Sequence, residues 1–74
     1  MTADLEWQKI VQGLLKAELK RQNVGYRELA EKLTAMGIQE TERNIANKIS
    51  RGGFTAVFFI QCLEAIGCQQ LRLD

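Results

Sequence analysis

The stretch TERNIANKISRGG, residues 41 to 53, has a threonine at its start and two glycines at its end. Threonine favours the N-cap of a helix because its hydroxyl accepts a backbone N–H of the first turn, and glycine favours the position after the last turn. At about 100° per residue, Ile45 and Ile49 lie on one side and the polar residues on the other. The stretch therefore predicts an amphipathic helix over residues 41–51, with its isoleucines against a core.

The polar face of this helix carries side chains that read bases in DNA. Asn44, Asn47, Lys48 and Arg51 fall within a stripe about 100° wide, and Arg43 flanks it. Asparagine forms paired hydrogen bonds with adenine in the major groove, and arginine or lysine does so with guanine. Asparagine is also a mediocre helix former, so two in mid-helix favour a role beyond solubility. The alternative is that this face is only the solvated side of a helix in a small bundle.

The charge distribution agrees with a short DNA-reading element. The net charge is only +1, from 10 basic and 9 acidic residues. Within residues 43–73, however, Arg43, Lys48 and Arg51 all fall in the quoted stretch, and Glu64 is the one acidic residue. A local basic patch on a nearly neutral chain is typical of a nucleic-acid contact, although three charges on one helix are also compatible with a solvated face.

A first helix is predicted over about Asp4 to Gln22, with Asp4 as its N-cap. Its apolar residues recur at three- and four-residue spacing, which predicts one stripe that faces the core. Trp7 belongs to this stripe and is expected in the core rather than on a ligand-binding surface. The members of the predicted stripe are Trp7, Ile10, Val11, Leu14, Leu15 and Leu19.

A second helix is predicted over Tyr26 to Met36, followed by a Schellman termination. Gly37 occupies the left-handed position after the helix, and Ile38 is expected to pack back on Leu33. At the other end of the chain, residues 68–74 alternate weakly, which predicts a short C-terminal extended segment.

The fourth helix is expected to begin after Thr55 and to end at Gly67. It is apolar nearly all round, and Phe58, Phe59 and Ile60 in a row cannot all face one core. Excess exposed apolar surface marks an interface, so these three residues are predicted to form a homodimer contact. A two-fold dimer suits DNA binding because its two copies read half-sites one helical turn apart.

Length and composition restrict the functional class. The 74 residues, of which 46% are hydrophobic, predict a single domain over residues 1–74. The chain has no histidine and no acidic cluster at metal-ligand spacing, so we expect no catalytic residue, metal site or cofactor. Cys62 and Cys68 indicate reduced thiols in a cytoplasmic protein. No apolar run reaches the ~18 residues that a membrane span needs, and no small-molecule effector is indicated.

Three short motifs in residues 26–68 have the spacing of one family: a Leu-Ala pair, a helical run that ends in Arg-Gly, and a further helix that begins with threonine and ends in an apolar-Gly pair. In this chain they are Leu29-Ala30, Ala46 to Gly52, Thr55 and Ile66-Gly67. By these motifs the chain resembles the helix-turn-helix family of phage-repressor and Cro type. The resemblance implies an all-α, compact, four- or five-helix fold whose second motif helix enters the major groove.

The resemblance also implies roles for individual residues. The base contacts of the family fall on Asn44, Asn47 and Lys48 of this sequence. The phosphate contacts of the family fall near Tyr26, Arg27 and Arg51. This chain departs from the family at its turn glycine, which usually follows the Leu-Ala pair by four residues and here follows it by seven. We therefore expect a longer first motif helix and a looser connection to the second.

The segment WQKIVQGLLKAELK, residues 7–20, and the later TERNIANKISRGGFTAVFFIQCLEAIG also look like a small bacterial family of uncharacterised domains. That resemblance implies a compact stand-alone domain and no particular partner. The function predicted from the sequence is a small transcriptional regulator that inserts helix 41–51 into the major groove as a homodimer. The alternative is a protein–protein interaction domain of the same fold that does not bind DNA, because fold alone does not fix function.

Overall fold

A computed structural model describes residues 2–73, which form four α-helices and no strand. Helices α1 and α2 each contact both α3 and α4, so the four helices surround one core. This arrangement confirms the predicted all-α, four-helix class. The helices are α1 (Thr2–Arg21), α2 (Tyr26–Ala35), α3 (Glu42–Arg51) and α4 (Ala56–Ala65).

The two predicted threonine caps are confirmed. The Thr41 hydroxyl accepts a hydrogen bond from the Asn44 backbone N–H at 3.0 Å, which starts α3. The Thr55 hydroxyl accepts one from the Phe58 backbone N–H, also at 3.0 Å, which starts α4. Each cap satisfies one of the N–H groups that the first turn of a helix leaves without an internal partner.

The predicted termination of α2 is confirmed as well. Gly37 has a φ of 87°, and its N–H donates to the Thr34 carbonyl oxygen at 2.9 Å. The N–H of Ile38 donates to the Leu33 carbonyl oxygen at 2.9 Å, which completes the Schellman pair. The left-handed residues after α1 and α4 are Asn23 (φ 59°) and Gly67 (φ 74°).

The core draws side chains from all four helices. Ile45 and Ile49 are fully buried, as the amphipathic pattern of α3 predicts. Phe54, Phe59 and Leu71 are partly buried and pack against the edge of the core. The buried apolar residues are Leu15, Leu19, Leu29, Ala30, Leu33, Ile45, Ile49, Phe58, Cys62, Leu63 and Ile66.

The prediction that α1 buries all of its apolar stripe is wrong. Leu15 and Leu19 are buried, but Trp7 is 66% exposed and Ile10 is 47% exposed. Around the helix axis, Leu15 and Leu19 lie about 140° and 180° from Ile10, so the apolar residues occupy two faces. Helices α3 and α4 cover only the face that carries the two buried leucines. Trp7 and Ile10 are therefore surface residues.

The predicted N-cap of α1 is also wrong. Asp4 is not an N-cap, because α1 already includes Thr2, although the carboxylate still lies in the first turn, where the helix dipole favours it. The predicted C-terminal extended segment forms no strand over residues 68–73, and its last residue, Asp74, lies outside the described residues. Leu71 in this tail instead packs on the core, so the tail is held by side-chain packing.

Candidate nucleic-acid interface

Helix α3 presents most of its predicted polar face to solvent. The side chains of Arg43, Asn44, Asn47 and Arg51 are exposed, and they point away from the buried isoleucine face. Within residues 2–73 these four side chains make no hydrogen bond and no ion pair. Two amides and two guanidinium groups on a ten-residue helix are therefore available to an external partner.

Lys48 differs from the other residues of this face. Its ammonium group forms an ion pair with the carboxylate of Glu40 and lies 4.7 Å from the centroid of the Phe58 ring. The Glu40 side chain is only 7% exposed, so the carboxylate needs this cation near it. Contact between Lys48 and a base, as the sequence predicts, would require the cation to leave a buried carboxylate. The structure thus gives Lys48 an intramolecular role.

The Glu40–Lys48 pair ties the α2–α3 connection to the last turn of α3. Glu40 stands in the six-residue connection, 36–41, which is longer than the three or four residues of a tight helix-turn-helix turn. One carboxylate oxygen of Glu40, Oε1, is buried and has no hydrogen-bond partner among residues 2–73. Sequence reasoning missed this pair because its members are eight residues apart on either side of a helix start, a spacing that no helical periodicity indicates.

The C-terminal end of α3 is held by α1. The side-chain amide Nε2 of Gln12 donates to the backbone carbonyl oxygens of Ile49 at 2.7 Å and Ser50 at 3.1 Å. Gly52 ends α3 with a φ of 71°, and a Cβ at this position would lie 2.9 Å from the carbonyl oxygen of Gln8. Both contacts were missed at the sequence level, because the sequence does not indicate that the Gln12 side chain caps another helix or that the Gln8 backbone approaches Gly52.

The two residues expected to contact phosphate at the start of α2 are separated by the fold. Arg27 is exposed and shares a cleft with Glu31, Glu40 and Glu42, near the start of α3. Tyr26 is half-buried and packs against the core, in a cleft beside the end of α1. Arg27 is thus near α3 but among carboxylates, whereas Tyr26 is on the side of α1.

The predicted dimer residues on α4 are not a single surface. Phe58 is buried under the Lys48 ammonium group, so the prediction that it contacts a second copy is wrong. Phe59 is half-buried, and the centroids of the Phe54 and Phe59 rings lie 5.9 Å apart. Ile60 alone of the three is well exposed, at 60%. Successive residues point 100° apart on a helix, which divides these three between the core, its edge and solvent.

The remaining chemistry of the described residues is limited. Both cysteines are free, and Cys62 is fully buried. Burial, followed by the nearby Glu40 carboxylate, raises the pKa of the Cys62 thiol to about 12. Residues 2–73 contain no group of three acidic, cysteine or histidine side chains that would hold a metal ion. No helix in that range is long and apolar enough to cross a bilayer.

Fold and surface together define an all-α, four-helix domain that exposes amides and guanidinium groups on one short helix. The chain matches the family described as Domain of unknown function (DUF6471) over residues 7–71, and it belongs to that family. Comparisons with curated proteins and with solved structures found no match. The family match confirms the resemblance to a family of uncharacterised domains. The resemblance to the phage-repressor and Cro type stays a prediction.

Proposed function

We propose that this domain binds duplex DNA through the solvent face of α3 and acts as a small transcriptional regulator. Asn44 and Asn47 are the proposed base-reading residues, and Arg43 and Arg51 contact guanine or phosphate. The observation that carries the proposal is the availability of these four exposed side chains, which lack an intramolecular partner within the described residues. The opposite face of the same helix is fully buried, so α3 is a fixed support for them.

The dimensions of α3 suit this role. Its ten residues give a length of about 15 Å, and the helix is anchored at both ends. The major groove of B-DNA is about 12 Å wide and admits an α-helix. A rigid helix loses little conformational entropy on binding, so the contacts that it makes are not offset by ordering. Lys48 takes no direct part, because its charge is balanced by Glu40.

A second candidate function, protein–protein interaction without DNA, is favoured by one observation. Glu31, Glu40 and Glu42 line the cleft beside Arg27 at the start of α3. Carboxylates close to a phosphate backbone repel it, which weakens the electrostatic attraction on which DNA binding depends. This arrangement suits a basic protein partner better than a phosphate at that end of the helix.

The deciding experiment is selection of a random pool of duplex DNA on the full chain at low ionic strength. Under the DNA proposal, a duplex is enriched and its affinity falls with rising salt. Replacing Asn47 by alanine should then weaken binding to the selected duplex by about 1–3 kcal/mol, which is the contribution of a side chain that makes two hydrogen bonds to one base. The absence of any salt-dependent duplex binding would favour the protein-interaction function instead.

Charge variants test the assignment of individual residues. Arg51→Ala should lower the slope of log affinity against log salt by about one unit, as expected for a lost phosphate-contacting cation. Lys20→Ala on α1 is the matched control, since it removes the same charge from an exposed position outside α3. Equal salt slopes for the two variants would show that α3 is not the contact surface.

A further inference from the structure

Helix α1 carries a stripe of residues on the side opposite to the core. Taking Ile10 as zero and about 100° per residue, Gly13, Ala17 and Arg21 fall at about 300°, 340° and 20°. The buried Leu19 lies at about 180°, on the other side of the helix. The outer stripe of α1 comprises Glu6, Ile10, Gly13, Leu14, Ala17 and Arg21, all within about 100° of one another.

The centre of the outer stripe is exposed and carries small and apolar side chains. A cleft of about 420 Å³ is lined there by Ile10, Gly13, Leu14 and Ala17, together with the charged residues Lys9, Glu18, Arg21 and, from the C-terminal tail, Arg72. A Cβ placed on Gly13 would meet no atom of the described residues within 4 Å, so none of residues 2–73 covers this point. Small residues at the centre of a helix face allow a second helix to approach closely.

The outer stripe is complementary to itself. When two copies of α1 are placed antiparallel, with a two-fold axis between Gly13 and Leu14, Ile10 of each copy lies opposite Ala17 of the other. Glu6 of each copy lies opposite Arg21 of the other in the same arrangement. Large side chains thus face small ones, and acids face bases, on both sides of the axis. This is the pattern that a two-fold symmetric contact requires, since one surface must fit its own rotated copy.

We propose that the outer stripe of α1 is a homodimer surface, on which two chains pack antiparallel, α1 against α1. Arg21 supports this assignment, because it pairs with Glu18 in its own chain yet keeps 55% of its side chain exposed for a second carboxylate. The helix α4, which exposes Val57 and Ile60, carries one charged residue, Glu64, and therefore no pair of opposite charges within its described residues, 56–65. The dimer does not depend on the proposed DNA binding.

The test measures the mass of the full chain by sedimentation equilibrium up to about 1 mM, a concentration that detects weak association. We expect a dimer of the 8.4 kDa chain, and a monomer at every concentration would overturn the proposal. Gly13→Leu should weaken the dimer at least about tenfold, because a leucine on the two-fold axis separates the helices. Its melting temperature as a monomer should not fall, since leucine is a better helix former than glycine and meets open space.

Matched variants locate the surface. Ile10→Glu should weaken the dimer about tenfold or more, whereas Ile60→Glu, which places the same charge on exposed α4, should leave it unchanged. The reverse result would place the contact on α4 and overturn the proposal.

A charge exchange tests the antiparallel register. Glu6→Arg and Arg21→Glu should each dimerise poorly alone, because like charges face each other across the contact. A thermal melt of Arg21→Glu checks that the monomer stays folded, since this variant also removes the cation beside the buried Glu18. An equimolar mixture of the two variants should form the heterodimer, in which both pairs are again of opposite sign. A mixture that dimerises no better than the separate variants would contradict this register.

Discussion

The side-chain amide of Gln12 in α1 donates a hydrogen bond to the backbone carbonyl oxygen of Ile49 in α3, with an N···O distance of 2.7 Å. The last four carbonyls of a helix have no partner within the helix. In α3, the carbonyls of Ile49 and Ser50 accept hydrogen bonds from Gln12, which lies 37 and 38 positions earlier in the chain. A side chain of α1 therefore caps the C-terminal end of α3, the helix that carries the candidate interface.

Removal of this cap should destabilise the fold. Gln12→Ala is expected to lower the free energy of unfolding by about 0.5–1.5 kcal/mol, because the part-buried Ile49 carbonyl then keeps only the hydrogen bond from the Gly52 N–H. Gln22→Ala is the control, since Gln22 is exposed near the end of the same helix. Urea denaturation followed by circular dichroism measures both. Equal losses for the two variants would show that the cap contributes nothing specific.

Three glycines should respond differently to alanine. Gly52→Ala is expected to cost more than the about 1–3 kcal/mol of a positive φ alone, because the new Cβ also meets the Gln8 carbonyl oxygen. Gly37→Ala has a positive φ but open space, and should cost less. Gly13→Ala lies inside α1 and should stabilise the fold by about 0.5–1 kcal/mol. Thermal melts give the order, and any other order contradicts the geometry.

The Glu40–Lys48 ion pair should behave as a coupled unit. Lys48→Met leaves the Glu40 carboxylate buried without its cation, and is expected to cost about 1–3 kcal/mol. The double variant Glu40→Gln/Lys48→Met should recover most of that loss, because a neutral pair has little desolvation penalty. A double-mutant cycle by chemical denaturation measures the coupling. Additive losses would mean that the two side chains do not interact.

The buried thiol should make stability fall at high pH. Burial raises the folded-state pKa of Cys62 from 9.0 to about 12, so the folded chain retains a proton that the unfolded chain loses. The contribution of the thiol is present below pH 9 and is lost between pH 9 and about 12, at roughly 1.4 kcal/mol per pH unit. Unfolding measured from pH 8 to 11 should show this slope, and Cys62→Ala should lack it. An unchanged slope in the variant would assign the effect to other groups.

Local signals in the sequence were sufficient to place α2, α3 and α4. Thr41 and Thr55 mark helix starts because a cap bonds to an N–H only three residues away. Gly37 marks a helix end because its left-handed φ is a property of that residue alone. Ile45 and Ile49 were placed in the core because α3 has a single apolar face, which leaves only one way to orient it.

The features that the sequence did not predict depend on contacts between distant elements. Apolar residues occupy two faces of α1, so periodicity alone does not decide whether Trp7 or Leu15 is buried. In the sequence, Glu40 and Lys48 resemble ordinary solvated charges. Only the structure shows that they pair with each other, with Lys48 beside Phe58 of α4. The exposed polar face of α3 was predicted, but the withdrawal of Lys48 from it was not, because that depends on a partner outside the helix.

The capping of α3 by Gln12 has a consequence for how the molecule unfolds. A fragment that begins at α2 would contain every residue of the candidate interface, yet α3 in it would end in carbonyl groups without their side-chain donor. Loss of that donor should let the last turn of α3 fray, so its amides should exchange with solvent faster once α1 detaches. On that basis the first and third helices open together, as one cooperative unit.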